Sequence, residues 1–247
     1  MEQPVLHSAM PLPSSPEELR AALGKARVYL IFTPQLSGAR DPLEVLRAAL
    51  PWVDMIQVRP KEREQGLDPL NSRGARLKVS SAREMYEWCE KVLAEVRGLE
   101  RTIPVIANDR VDVAMALLRE GLAGVHLGQD DAPVALARAQ LGAGALIGLS
   151  THSPEQVVRG GDEAVDYLGF GPFRATSTKG YARGLGPEAC WIAQEASPWP
   201  VFPIGGIDEI SVTELEKIPR AAVGSAILSA KDPARAARAI ALALGAE

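Results

Sequence analysis

Two cysteines in 247 residues, Cys89 and Cys190, without C-x-x-C spacing, exclude a disulfide framework and a thiolate zinc site. Each stands beside a tryptophan (Trp88, Trp191) in a segment of helical periodicity, and a small buried core residue is expected at both. Basic residues are not in excess: 27 Lys and Arg against 31 Asp and Glu leave a net charge of −4. No nucleic-acid footprint is therefore expected, although a few local cations can still hold a small anion. No apolar run approaches the roughly 20 residues of a membrane span, so no membrane partner is expected. The N-terminus has no basic segment followed by an apolar core, so the expectation is a cytoplasmic protein without a secretory signal. Aromatics are sparse at 5%, yet 47% hydrophobic and 23% charged residues suit a soluble globular chain with a large core. No G-x-G-x-x-G follows the first apolar stretch, and no short-period repeat is present.

What is present is a rhythm. After the proline-rich opening MEQPVLHSAMPLPSSP (1–16), short stretches rich in Val, Ile and Leu recur. They are VYLIF (28–32), VDMIQV (53–58), IPVIA (103–107), AGVHL (123–127), ALIGLS (145–150), DYLGFG (166–171), WPVFPI (199–204) and RAAVGSAI (220–227). Short and continuously apolar, they fit parallel strands buried on both faces. Helical patterns lie between them over 41–50, 81–97, 110–120, 132–141, 153–160, 186–196, 208–217 and 232–244. In the second of these Tyr86, Cys89, Val92, Leu93 and Val96 share one stripe, and Asp41 with Pro42 marks the start of the first. Eight strands alternating with eight helices predict a (β/α)8 TIM barrel with a short N-terminal extension, for which about 250 residues is the usual size. A doubly wound open sheet is the alternative. The expected division is an arm over 1–26 with a short helix, capped by Ser15 with Pro16 and Glu18 behind it, then a single barrel domain over 27–247. The segment EREQGLDPLNSRGARLKVS (62–80) is long for a βα loop of about 2–6 residues, and is polar and basic enough for a mobile lid.

Active sites of such barrels lie at the C-terminal ends of the strands. Gln57, Arg59 and Lys61 follow the second strand at alternate positions, on one side of an extended chain. Asn108, Asp109 and Arg110 follow the third strand; His126, Gln129, Asp130 and Asp131 the fourth; Ser150, Thr151 and His152 the fifth. The sixth runs into GFGPFRATSTKG (169–180), with Thr176, Ser177, Thr178 and Lys179 at its tip. The seventh leads to Gly205 and Gly206, the eighth to Gly224 and Ser225. Each has a bland reading: Arg59 and Lys61 as solvated charges, Asp109 and Asp131 as helix caps, His126 as a hydrogen-bonded core residue, His152 as part of a turn. Together they converge. The glycine turns after strands seven and eight occupy the place where barrels bind a phosphate through backbone N–H groups. Arg59, Lys61 and Lys179, with Thr176 and Thr178, suit a second and more highly charged anion. Asp109 and Asp131 suit Mg²⁺, with substrate oxygens and water completing the shell.

The stretches VDMIQVRPKE, VIANDRVDVAMAL, GVHLGQDDAP, IGLSTHS, DYLGFGPFRATSTKG, PIGGI and VGSAI resemble, in this order, the thiamine-phosphate synthase family. The match runs from about Val28 to Leu244. The resemblance implies a (β/α)8 barrel that joins hydroxymethylpyrimidine diphosphate to thiazole phosphate and releases diphosphate, with Mg²⁺. It implies that Gln57, Arg59, Lys61 and Asn108 contact the pyrimidine diphosphate, with Lys179 on the same diphosphate. Ser150 would help seat the pyrimidine, and Asp109 and Asp131 would be the metal carboxylates. Thr176, Thr178, Gly206, Gly224 and Ser225 would hold the thiazole phosphate. The implied mechanism is dissociative, with Arg59, Lys61 and Lys179 stabilising the departing diphosphate, and the sequence offers no obvious triad. A homo-oligomer is compatible with this reading.

The chain departs from the family pattern in places. VRPKE stands where LREK is usual, YLIFTP lacks an acidic residue after the first strand, and the 62–80 loop and the N-terminal arm are additional. Two rivals stay open: the thiazole tautomerase of the same barrel family, in which His152 would serve, and a non-catalytic phosphate-metabolite-binding barrel. The retained GQDD and TSTK stretches favour the synthase.

Overall fold

The computed structural model describes residues 14–62, 78–79, 81–161, 163–175 and 184–246. The apolar stretches form strands β1 (Val28–Phe32), β2 (Met55–Val58), β3 (Val105–Asn108), β4 (Gly124–Leu127), β5 (Leu146–Thr151), β6 (Tyr167–Phe170), β7 (Val201–Pro203) and β8 (Ala221–Val223). From β1 to β7 each pairs in parallel with the next in chain order, and β8 pairs back onto β1. A parallel bridge from Ile204, just past β7, to Ala222 closes the ring.

Alternation along each strand divides the apolar side chains into two populations. Tyr29, Ile31, Met55, Ile106, Leu146, Tyr167 and Phe202 fill the barrel interior as one cluster. Val28, Leu30, Phe32, Ile56 and Val58 face outward into a larger cluster. The outer layer is built from α2 (Pro42–Ala49), α3 (Ala82–Val96), α4 (Val111–Leu117), α5 (Val134–Leu141), α6 (Pro154–Gly161), α7 (Gly186–Ala196), α8 (Ser225–Leu228) and α9 (Pro233–Ala243). The stripe expected on α3 is present: Cys89, Val92 and Leu93 are buried, with Tyr86 and Val96 packed at its edge. Both cysteines are buried free thiols, each pushed up to about 12 by burial, which makes them inert core residues.

The helix preceding the barrel, α1 (Pro16–Lys25), starts with the expected reciprocal cap: Ser15 accepts from the Glu18 amide while Glu18 accepts from the Ser15 amide. Its Leu19 and Leu23, four residues apart, pack into the interior cluster at the N-terminal end of the strands. Arg20 latches it by an ion pair to Asp166, 3.3 Å. Residues 1–13 of the expected arm lie outside the described residues.

Two expected elements differ. The helix over 208–217 is a 3₁₀ helix, Ser211–Leu215, because the Asp208 carboxylate takes the Ile210 and Ser211 amides and tightens the entry. The apolar stretch 220–227 is a strand only through Val223; Gly224 breaks it and α8 begins at Ser225. The long 62–80 segment is pinned at its root by an antiparallel pairing of Lys61–Glu62 with Lys78–Val79. Residues 63–77 and 80, where a lid was expected, lie outside the described residues. No helix among the described residues is long and apolar enough to cross a membrane.

Candidate active site

Arg59 follows β2, its amide donating to the Phe32 carbonyl at 2.8 Å, which extends the β1–β2 ladder to the barrel mouth. Burial lowers its guanidinium below the usual arginine range, and the nearby Asp109 and Asp131 carboxylates oppose that. Lys61 is a buried residue, and its amide donates to Gln35 Oε1 at 3.1 Å.

Asp109 does not cap α4. The cap position is Arg110, with no side-chain bond to the helix, and Asp109 itself sits at φ 60°, outside the usual range for a residue with a β-carbon. Its amide continues the β3–β4 pairing by donating to the His126 carbonyl, and Asn108 Nδ2 donates to its Oδ2 at 2.6 Å. Nor does Asp131 cap α5, whose cap position is Pro133; its Oδ2 instead accepts from the Gly128 amide at 2.7 Å. The Asp109 carboxyl is pushed up to about 6, first by burial and then by Asp131, against the pull of Arg59 and Asn108. Two carboxylates held against each other create a charge that a cation relieves. The donors are hard oxygens, the kind Mg²⁺ takes from one or two carboxylates when phosphate oxygens supply further ligands. Among the described residues no group of three His, Cys, Asp or Glu side chains is gathered for a metal. These residues fit Mg²⁺ held jointly with a phosphorylated substrate.

Deeper in the mouth lie Gln57 from β2 and Ser150 from β5. Gln57 Nε2 donates to the Tyr29 hydroxyl at 2.6 Å, and Ser150 Oγ is 2.9 Å from His126 Nε2. His126 is thus a hydrogen-bonded core residue, as its bland reading held, and also a support for Ser150. Gln129 Nε2 fixes the Ser150 carbonyl at 2.7 Å. His152 Nδ1 is 2.7 Å from the Gly171 carbonyl, which makes it part of the β5–β6 junction.

The glycine turns are built where expected. Gly206 has φ 69°, and a β-carbon there would stand 2.9 Å from Arg174 Cβ, so this turn admits only glycine without strain. Arg174 donates its amide to the Gly205 carbonyl at 2.9 Å, packing the β6 loop against the β7 turn. Gly224 and Ser225 stand at the start of α8, across β1 from Gln57's strand. Thr176, Thr178 and Lys179 lie outside the described residues. The structure therefore brings Gln57, Arg59, Lys61, Asn108, Asp109, Asp131, Ser150, Gly206, Gly224 and Ser225 to one end of the barrel. The sequence reading passed over Tyr29, Tyr167 and Gln35; the signal for the two tyrosines was a hydroxyl at an inward position of an otherwise apolar strand.

The family model described as thiamine monophosphate synthase matches residues 28–229. A thiamine-phosphate synthase of Haloquadratum walsbyi is 34% identical over 218 residues, covering 86% of this chain and 88% of its own length. One from Gloeobacter violaceus is 36% identical over 224 residues, covering 88% of this chain; the present chain spans 57% of that longer relative. Among solved structures, thiamine phosphate pyrophosphorylase from Pyrococcus furiosus superposes with a TM-score of 0.71 at 28% identity, over 92% of this chain and 97% of that one. With the strand order closed, the paired carboxylates at the mouth and the match running across β1 to α8, the chain belongs to the thiamine monophosphate synthase family.

Proposed function

We propose that the chain joins 4-amino-5-hydroxymethyl-2-methylpyrimidine diphosphate to hydroxyethylthiazole phosphate, giving thiamine phosphate and diphosphate. The observation that carries this reading is the facing Asp109–Asp131 pair beside Arg59 at the barrel mouth, in a chain of this family.

The reaction breaks the C–O bond to the diphosphate, the bonding electrons leaving with it. The thiazole nitrogen lone pair then forms the new C–N bond on the pyrimidinylmethyl cation. No proton is lost when that nitrogen becomes quaternary, so no general base is needed. The work left to the protein is electrostatic and positional. Arg59, Lys61 and Lys179 bind the diphosphate and stabilise the charge that builds on it, with Asn108 as a neutral contact. Asp109 and Asp131 would hold Mg²⁺, which supplies further positive charge to the diphosphate when bound. Gln57 and Ser150 seat the pyrimidine. Thr176, Thr178, Gly206, Gly224 and Ser225 hold the thiazole phosphate, so that its ring nitrogen faces the cation. The bond from His152 to the Gly171 carbonyl gives that histidine a local task and lends the tautomerase reading no support.

The test is direct. The purified protein, given both substrates and Mg²⁺, is expected to form thiamine phosphate, and omission of either substrate or addition of excess chelator is expected to stop it. A folded protein that binds both substrates and forms no product would overturn the proposal.

A further inference from the structure

The polar side chains inside the barrel are joined end to end. Gln57 Nε2 donates to the Tyr29 hydroxyl at 2.6 Å, and the Tyr29 and Tyr167 hydroxyls are 2.8 Å apart. The Tyr167 hydroxyl is 3.1 Å from His126 Nδ1, and His126 Nε2 is 2.9 Å from Ser150 Oγ. Both tyrosines are essentially without solvent contact, at 1% and 0% exposure, and burial raises both phenols well above the usual tyrosine range. Each therefore carries its proton at neutral pH.

A chain of this kind has a direction. A hydroxyl gives one proton and can accept two, and a neutral imidazole has one N–H, so with Gln57 donating at one end a single direction leaves no buried hydroxyl proton without a partner. Gln57 gives an amide proton to the Tyr29 oxygen. In that direction Tyr29 gives its proton to Tyr167, and Tyr167 gives its own to His126 Nδ1. An accepting Nδ1 places the imidazole proton on Nε2, which donates to Ser150 Oγ. Two groups are left turned away from the chain: the Ser150 proton as a donor, and Gln57 Oε1 as an acceptor. The strands are shaped around the middle links. A β-carbon on Gly148 would stand 2.2 Å from Tyr167 Cζ and 2.5 Å from His126 Nδ1.

We propose that Tyr29, Tyr167 and His126 are specificity-determining positioning residues: as a one-way hydrogen-bond chain they present Gln57 as an acceptor and Ser150 as a donor together, and so select an aminopyrimidine over its oxo counterpart. The inference rests on the synthase reading above. An aminopyrimidine brings an N–H donor on its exocyclic amine and lone pairs on its ring nitrogens. The 4-oxo compound brings the opposite arrangement, an acceptor oxygen and a ring N–H. To receive it, Gln57 must turn its amide over and every proton in the chain must reverse. Sites built on buried hydrogen bonds reject a mismatched analogue by orders of magnitude, here about 10²-fold or more.

The test compares kcat/KM for the 4-amino and 4-oxo pyrimidine diphosphates in the wild type and in Tyr167→Phe, which keeps the ring and removes one link. The wild type is expected to prefer the amino compound by about 10²-fold or more. The variant is expected to lose at least about tenfold of that preference, with KM for thiazole phosphate unchanged. Synthase activity with the same preference in both proteins overturns the inference alone. A wild type that turns over neither compound overturns the synthase reading and the inference with it. A second measurement needs no change to the chain: ¹⁵N resonances of the His126 ring, assigned by elimination with His7→Gln and His152→Gln. A proton on Nε2 is expected, and a proton on Nδ1 overturns the proposed direction.

Discussion

Asp109→Asn separates the proposed metal role of this side chain from every structural one. Asp109 sits at φ 60°, a conformation that Asn tolerates about as well as Asp, whereas Ala would add about 1–2 kcal/mol of backbone strain. Asn has the same shape and can still accept the bond from Asn108. Burial and the facing Asp131 raise the carboxyl from 3.8 to about 6. A carboxyl whose folded pKa lies above its unfolded value favours the folded state only while protonated. That advantage is complete below the unfolded pKa and is lost as pH rises through the folded one. Two pKa units, at about 1.4 kcal/mol each, give a destabilisation on the order of 3 kcal/mol at pH 8 in metal-free protein. Asn cannot ionise and escapes it. Denaturant unfolding in chelator should therefore find Asp109→Asn more stable than the wild type at pH 8, by up to that amount, with the gap narrowing toward pH 4. Added Mg²⁺ should stabilise the wild type and leave the variant unchanged, and the variant should form no thiamine phosphate. A variant less stable than the wild type in chelator at pH 8 would refute this reasoning, since it would make the ionised carboxylate a structural asset.

Lys61→Ala should lower kcat/KM for the pyrimidine diphosphate by about 10²-fold or more through loss of the charge proposed to stabilise the leaving group; steady-state kinetics identical to the wild type would remove Lys61 from that role. Gly206→Ala places a β-carbon 2.9 Å from Arg174 Cβ at φ 69° and should cost about 1–2 kcal/mol in stability. It should also raise KM for thiazole phosphate while leaving KM for the diphosphate substrate alone. Leu23→Ala empties a position that is 3% exposed beneath the barrel and should cost about 2–4 kcal/mol with no change in kinetic constants. Altered kinetics there would mean that α1 reaches the mouth.

Most of the barrel was legible because its strands, buried on both faces, write themselves as short apolar runs. Several helices begin at plain caps, Ser15 for α1 and Asp41 for α2 among them. What failed was local. The Asp208 side chain competes for the amides that would have opened a helix, and periodicity over 208–217 does not register that competition. Gly224 ends β8 after three residues although the apolar run continues, because a helix and a strand draw on the same residue types there. At the site, residue types and positions named the charged groups, but the helix-cap readings of Asp109 and Asp131 could be dismissed only by seeing where the caps are. The Tyr29–Tyr167–His126 links were out of reach. Their partners come from β1, β6 and β4, and only closure of the ring brings these inward positions together.

The central claim is that diphosphate departure and thiamine phosphate formation are one metal-dependent event at this barrel mouth. Both products should be quantified in a single reaction of the wild-type protein, with Mg²⁺ and then with excess chelator. The account predicts equal amounts of the two products with the metal and neither without it. Diphosphate released without thiamine phosphate, or equal yields in chelator, would contradict it.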